Sequence, residues 1–347
     1  MDIKNYFKQA IDRKASDLHL VGGSQPAIRI DGELIKISEE KLDADELEKA
    51  LYEVIFGKGK EKFKREKEMD ISLEFFDRAF RVNLHYQENK IGITARLIQD
   101  KAPNPEEIGF SEIIYKLTHL NDGLILVTGP SGSGKSTTLA AMISIINKER
   151  RAHIITIEDP IEYYFKEEQS IIEQRELGND TASFAQALKY ALRQDPNVIM
   201  VGEMRDLETI SAALTAAETG HLVLSTLHTS TATESIARIV DIFPAHQQQQ
   251  VLSQLSSTLR AVIAQMLLPK AKGGRIAARE IMINTQAVSN LIRRNQVGQL
   301  YTSIQTGLKD GMITMNKSIE HLYEQGLISG ETARNRKRDL ETHATYY

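Results

Sequence analysis

The segment GPSGSGKS at residues 129–136 constrains the fold of this chain more than any other part of it. It matches the pattern G-x-x-x-x-G-K-[ST], and it stands between an apolar run at residues 124–127 and a run typical of a helix. Glycines let backbone amides come close to phosphate oxygens, and the positive end of the following helix adds to the attraction. The segment therefore predicts an α/β domain that carries a phosphate-binding loop.

The same motif predicts individual contacts with ATP and Mg²⁺. We expect Lys135 to reach the β- and γ-phosphates and Ser136 to ligate Mg²⁺ through its hydroxyl. The nucleotide-binding residues predicted in this way are Gly129, Pro130, Ser131, Gly132, Ser133, Gly134, Lys135, Ser136 and Thr137.

Hydrolysis of a bound nucleotide also needs carboxylates near the loop, and two strand ends supply them. Glu158, Asp159 and Glu162 follow the apolar run at residues 154–157. Glu203 follows a second apolar run, as an irregular Walker B element. Open α/β sheets bind ligands at the carboxyl ends of their strands, so one carboxylate of the first group can be the general base and Glu203 can approach Mg²⁺. The alternative for either group is a solvated loop.

Two histidines flank the apolar run at residues 222–224. His221 opens it and His228 closes it, so both are candidates for the sheet edge near the γ-phosphate. A structural role is the alternative for both. We see no third metal ligand near them in the sequence and predict no zinc site.

The composition restricts the class of protein. The 347 residues include 43 basic and 47 acidic side chains, for a net charge of -4, so the overall charge does not call for a nucleic-acid partner. There is no cysteine, which excludes disulfides and thiolate metal sites. The first residues show no apolar signal core, and no stretch approaches the roughly 18 apolar residues of a spanning helix. We expect a cytoplasmic protein without membrane insertion.

Residues 1–100 are typical of a small α+β domain. The run PAIRIDGELIKI at residues 26–37 predicts two strands joined at Asp31 and Gly32, a dipeptide that favours a tight hairpin. Two further strands are predicted at residues 80–86 and 92–97, and a helix at residues 43–55.

A second domain is expected over residues 101–347. Its start, KAPNPE at residues 101–106, contains two prolines that limit helix formation, so we place the boundary near residue 100. Apolar runs that alternate with helical segments predict a parallel sheet covered on both faces. From about Ala245 onward we expect helices, broken at residues 272–275 and at Gly326. The polar run at residues 247–250 is expected to be the solvated start of a helix.

Four blocks, in order, resemble the Walker A, Asp box, Walker B and His box motifs of the secretion ATPases, which drive type II secretion and type IV pili. They lie at residues 129–136, 156–162, 193–206 and 219–229. Within this superfamily the chain looks like the pilus retraction ATPases of the PilT type, through ASDLHL at residues 15–20, IQTG at 304–307 and GMITM at 311–315. Assembly ATPases usually have an extra amino-terminal domain and a four-cysteine zinc element, which this sequence lacks.

The resemblance implies an ATP-hydrolysing homohexamer that powers pilus retraction. It implies a PAS-like small domain before a RecA-like ATPase domain with a helical carboxyl-terminal extension, and ATP between the two domains. An inner-membrane platform protein is the implied partner, which would make the chain peripheral to that membrane. The implied roles are a general base for Glu162, Mg²⁺ binding for Glu203, γ-phosphate sensing for His228, and arginine fingers for Arg81 and Arg96, with Arg78 a weaker candidate.

One segment departs from the family pattern. Retraction ATPases have a helix close to AIRNLIRE, which the family links to retraction, whereas residues 287–294 read AVSNLIRR. Ser289 replaces the first arginine and Arg294 replaces the glutamate. Three alternatives to retraction therefore stay open: an assembly or type II secretion ATPase, a nucleotide-gated regulatory module with little turnover, and a DNA translocase.

Overall fold

The computed structural model describes residues 1–30, 33–55, 58–98 and 102–337, and it divides into two compact units. The amino-terminal unit comprises Met1–Lys101 and Glu162–Tyr164. The P-loop unit comprises Ala102–Ile161 and Phe165–Tyr347. Residues 162–164 thus group with the amino-terminal unit, although the sequence assigns them to the second domain. Within the described residues, no helix is long and apolar enough to cross a membrane.

The amino-terminal unit is an antiparallel six-stranded sheet with helices packed on one face, in the strand order β3-β2-β1-β6-β5-β4. Alternate strand residues such as Phe80, Val82 and Leu84 are buried, while Arg81 and Asn83 between them are exposed. Its elements are α1 (Ile3–Asp12), β1 (Asp17–Val21), β2 (Ala27–Ile30), β3 (Glu33–Lys36), α2 (Ala44–Val54), α3 (Lys58–Glu66), β4 (Glu68–Phe75), β5 (Arg78–Gln87) and β6 (Lys90–Leu97).

The predicted elements of this unit are confirmed. Strands β2 and β3 form the hairpin expected over residues 26–37, and β5, β6 and α2 match the other expected elements. The turn residues Asp31 and Gly32 lie outside the described residues, as does Lys101 at the expected boundary.

The P-loop unit is a seven-stranded sheet in the order β13-β12-β7-β11-β10-β8-β9. Neighbouring strands are parallel, except that β13 is antiparallel to β12. Separate apolar cores cover the two faces, as expected. The strands are β7 (Gly123–Thr128), β8 (His153–Glu158), β9 (Ile171–Glu176), β10 (Val198–Val201), β11 (Leu222–Leu227), β12 (Leu259–Pro269) and β13 (Arg275–Ile283). The helices are α4 (Glu112–Thr118), α5 (Lys135–Glu149), α6 (Phe184–Ala191), α7 (Leu207–Glu218), α8 (Ala232–Asp241), α9 (Ala245–Thr258), α10 (Gln286–Arg293), α11 (Leu300–Thr306), α12 (Met315–Glu324) and α13 (Gly330–Arg336).

The expectation of helices from Ala245 onward is wrong for β12 and β13. Most residues of β12 are buried, because it lies inside the sheet between β7 and β13. A strand buried on both faces has no apolar and polar alternation, so its pattern is the same as that of a buried helix. The polar run at residues 247–250 does lie in the first half of α9, as predicted.

Helix α10 contains the segment that departs from the family pattern. Ser289 is 9% exposed, and its hydroxyl donates to the carbonyl of Ser256 on α9 at 2.8 Å. Arg294, at the carboxyl end of α10, is exposed. The first replacement therefore contributes to packing between α9 and α10, whereas the second lies on the surface.

Candidate nucleotide-binding and catalytic site

The phosphate-binding loop leaves the sheet at its centre. Strand β7 is buried along its length between β11 and β12, and α5 begins at Lys135 directly after the loop. Gly134 takes a φ of +86°, a left-handed conformation that glycine adopts without steric cost. The predicted order of strand, loop and helix is confirmed, and residues 135–137 form the first turn of α5.

The loop has the donors that an anion requires. Lys135 is 9% exposed, and its Nζ donates to the carbonyls of Gly129 at 2.9 Å and Pro130 at 3.2 Å. Within the described part of the chain, the backbone N–H groups of Gly132 and Gly134 meet no acceptor. A cation, unpaired amides and the amino end of a helix together fit a phosphate group. The same first turn offers the Ser136 hydroxyl to Mg²⁺.

Glu203 and His228 are brought together by parallel strands. Glu203 follows β10 and His228 follows the neighbouring β11, and His228 Nε2 lies 3.5 Å from Glu203 Oε2. The other carboxylate oxygen of Glu203 accepts from Arg205 Nε at 2.8 Å. Sequence reasoning predicted the first two residues at this edge of the sheet and missed Arg205, although it stands inside the quoted Walker B block.

Hydroxyl side chains of β11 hold the segment that carries Glu203. Thr226 Oγ1 donates to the carbonyl of Gly202 at 2.6 Å, and Ser225 Oγ donates to that of Val201 at 2.8 Å. The N–H of Met204 donates to the Thr226 carbonyl at 3.2 Å. Glu203 is therefore held by bonds on both of its sides. The polar pair inside the apolar strand was the sequence signal for this role.

The carboxylates that follow β8 differ in their surroundings. Glu158 is buried and accepts from Thr156 Oγ1 at 2.7 Å and from Gln174 Nε2 at 3.2 Å, so it is committed to internal hydrogen bonds. Asp159 and Glu162 are exposed. Of the three carboxylates predicted here, these two remain accessible to a water molecule.

The position predicted for His221 is wrong. It precedes β11 and so lies at the amino end of the strand, whereas the P-loop follows the carboxyl end of the parallel strand β7. Its Nδ1 lies 3.0 Å from the carbonyl of Ala216 and 3.2 Å from Thr219 Oγ1. The alternative of a structural histidine therefore holds for His221.

Arg81 and Arg96 are neighbours in the amino-terminal unit. They face each other in the register of β5 and β6, and both are exposed. Arg96 Nε donates to Asp17 Oδ1 at 2.8 Å, and Arg29 lies 3.9 Å from the other oxygen of this carboxylate. The buried Asp17 thus offsets the repulsion within the arginine cluster. Arg78, at the start of β5, is half-buried.

A buried chain of hydroxyl groups links the P-loop strand to the segment that carries His228. Ser235 Oγ on α8 lies 2.7 Å from Thr229 Oγ1 and 3.4 Å from Thr128 Oγ1. It also donates to the Thr231 carbonyl at 2.7 Å. Thr128 precedes Gly129, and Thr229 follows His228, so Ser235 connects the starts of two functional loops. Sequence reasoning missed this residue because its partners are distant along the chain.

Comparison with known families matches residues 1–289 to the family described as Type II/IV secretion system protein. The chain belongs to this family. Among members of the secretion family, the type IV pilus retraction ATPase PilT of Pseudomonas aeruginosa is 46% identical over 339 residues, covering 97% of this chain and 98% of the relative. A twitching motility protein of Neisseria gonorrhoeae is 46% identical over 319 residues, covering 91% of this chain and 85% of the relative.

A solved structure supports the same assignment. The crystal structure of the pilus retraction motor PilT with bound ADP matches with a TM-score of 0.92 and 46% identity, covering 99% of this chain and 98% of that chain. The resemblance predicted from the four sequence blocks is confirmed, and so is the α/β fold class. The secretion-family relatives are named as ATPases or as a motor, and the solved relative binds ADP.

Proposed function

We propose that this protein is a Mg²⁺-dependent ATPase motor that powers retraction of type IV pili. The likeness to PilT along almost the whole chain carries the proposal, because it includes both units as well as the nucleotide loop. The geometry of the P-loop unit supports the chemical part, since it brings a phosphate-binding loop and the pair Glu203 and His228 to the same edge of one sheet.

The loop binds ATP through its amides and Lys135. The ammonium group of Lys135 exchanges the carbonyls of Gly129 and Pro130 for phosphate oxygens, which are the stronger partners of a cation. Ser136 and Glu203 would hold Mg²⁺, which supplies charge neutralisation on the phosphates when bound.

Glu162 is the proposed general base. Water attacks the γ-phosphorus, its proton passes to the Glu162 carboxylate, and the bond to the ADP oxygen breaks. His228 senses the γ-phosphate, and its contact with Glu203 passes the state of the nucleotide to the Walker B segment. Arg81 and Arg96 act as arginine fingers, for which their exposure on one face of a sheet is suitable.

The proposed working form is a cytoplasmic homohexamer bound to an inner-membrane platform protein. Turnover around the ring would move the platform protein and return pilin subunits to the membrane. We carry this assembly over from the resemblance to retraction motors as part of the proposal.

Pilus dynamics in cells test the biological half of this proposal. The gene is deleted from its host, and labelled pili are filmed in strains that carry wild type, Glu162→Gln or Glu168→Gln. Glu168 is an exposed carboxylate of the same segment and serves as the matched control. We expect the deletion and Glu162→Gln strains to extend pili that do not retract, and Glu168→Gln to restore retraction. A deletion strain without pili would support an assembly ATPase instead.

A further inference from the structure

A buried glutamine on β12 braces the phosphate-binding loop. Gln265 is 2% exposed, and its carboxamide is hydrogen-bonded at both ends. Oε1 accepts from Thr138 Oγ1 on α5 at 2.9 Å, and Nε2 donates to the carbonyl of Ser133 in the loop at 2.8 Å. Thr138 and Ser133 are themselves 1% and 3% exposed, so the three residues form a closed polar group inside the unit.

The backbone of β12 also lies against the loop. A Cβ atom on Gly129 would overlap the carbonyl oxygen of Gln265, and a Cβ atom on Gly134 would lie 3.4 Å from Gln265 Nε2. Gln265 therefore contacts the loop near its start and again at its end. The roles assigned above to the P-loop do not include this residue.

The orientation of the carboxamide is determined by its partners. If it were reversed, Oε1 would face the carbonyl oxygen of Ser133, and two acceptors would meet in a buried place. The hydroxyl of Thr138 supplies the donor that Oε1 needs in the observed orientation. Thr138 thus selects the orientation in which Gln265 donates to the loop.

The bond to Ser133 determines where the next amide points. The peptide between Ser133 and Gly134 is trans, so the carbonyl oxygen and the following N–H point in opposite directions. Since the Ser133 carbonyl points toward β12, the N–H of Gly134 points away from β12. That N–H meets no acceptor among the described residues, and a loop that binds phosphate needs its amides so directed.

We propose that Gln265 is a positioning residue for nucleotide binding: it anchors the Ser133 carbonyl so that the Gly134 amide is already directed at a phosphate oxygen. The brace acts on ground state and transition state alike, because it orders the loop that holds the phosphates throughout. Its loss therefore raises the KM for ATP and the Kd for ADP while kcat changes little.

The first test is Gln265→Met, which keeps the length of the side chain and removes both hydrogen bonds. Binding of ADP by calorimetry and ATP turnover are measured on the full chain. We expect the Kd and the KM to rise about tenfold, which corresponds to about 1.4 kcal/mol, with kcat within about threefold of wild type. The matched control is Asn284→Leu, because Asn284 also donates to buried carbonyls, those of Ser256 and Leu259, but at the far end of β13. It should leave the Kd for ADP unchanged.

A second pair of variants covers the case in which Gln265→Met does not fold. Thr138→Val removes the hydroxyl that orients the carboxamide and should raise the Kd for ADP about threefold, whereas Thr138→Ser keeps the hydroxyl and should bind like wild type. A folded Gln265→Met with wild-type affinity, or an equal loss in Thr138→Ser and Thr138→Val, would overturn the inference. Because it rests on the proposed nucleotide binding, wild type is measured first, and failure of wild type to bind ADP would count against the proposed function instead.

Discussion

His228 Nε2 lies 3.5 Å from Glu203 Oε2, across the ends of the neighbouring parallel strands β10 and β11. The two residues are 25 positions apart in the sequence, and the register of the strands brings them together. The opposite oxygen of Glu203 is bound to Arg205. A single carboxylate thus joins the Walker B segment to the His box, which makes Glu203 the residue whose removal should disturb both.

We predict that Glu203→Gln weakens the use of Mg²⁺. The amide has one acceptor oxygen and no charge, so the Mg²⁺ concentration that gives half-maximal ATP turnover should rise about 10- to 100-fold. A Mg²⁺ titration of turnover measures this. Arg205→Gln is the control, because the Arg205 side chain is 71% exposed and an exposed pair contributes only about 0.2–1 kcal/mol. An unchanged Mg²⁺ requirement in Glu203→Gln would remove this carboxylate from the metal site.

Ser235→Ala should reduce the stability of the P-loop unit. The substitution leaves the buried Thr128 and Thr229 hydroxyls without their shared partner, and we expect a loss of about 1–3 kcal/mol in the free energy of unfolding. Urea unfolding measures the loss. Ser256→Ala provides the comparison, since that buried hydroxyl donates only to the Ser253 carbonyl of its own helix and should cost less. Equal costs in the two variants would argue against a special role for the Ser235 chain.

Restoring the family arginine at position 289 should destabilise the protein. Ser289 is buried against α9, so the larger charged side chain of Ser289→Arg must displace α10 or neighbouring groups, at about 1–3 kcal/mol. Arg294→Glu, on the exposed end of the same helix, should cost less than about 1 kcal/mol. Thermal unfolding of the two variants separates these expectations. A Ser289→Arg protein as stable as wild type would show that the packing of α10 adapts readily.

The sequence predicted those parts of the site that local chemistry dictates. The glycines and Lys135 of the loop have a recognisable spacing, and carboxylates after apolar strands predict a polar edge of the sheet. The hydroxyl chain through Ser235 was not predictable, because its partners come from three segments that only the fold brings together. The same applies to Gln265, although a lone polar residue inside an apolar run was a signal. Strands β12 and β13 were missed because burial on both faces removes the alternation that identifies a strand.

Glu320 should make a small contribution to stability that depends on pH. Hydrogen bonds from Lys317 and then Lys337 lower the pKa of this carboxyl to about 2. A carboxyl with a lowered pKa in the folded state stabilises the protein above its unfolded pKa, and it loses that effect as the pH falls toward 2. Glu320→Gln should therefore be less stable than wild type at pH 6, and the difference should narrow by pH 3. Because the carboxylate is 33% exposed, water screens the pairs and the difference stays below about 1 kcal/mol. Unfolding free energies that differ equally at both pH values would contradict this assignment.

ATP turnover with Mg²⁺ by the purified protein tests the central claim most directly, with Lys135→Ala, Glu162→Gln and the control Glu168→Gln measured beside wild type and the oligomeric mass recorded. We predict a hexamer that hydrolyses ATP, a rate at least about 10² lower in Lys135→Ala and Glu162→Gln, and a normal rate in Glu168→Gln. Tight ATP binding with negligible turnover by wild type would contradict the motor and favour a nucleotide-gated regulatory module.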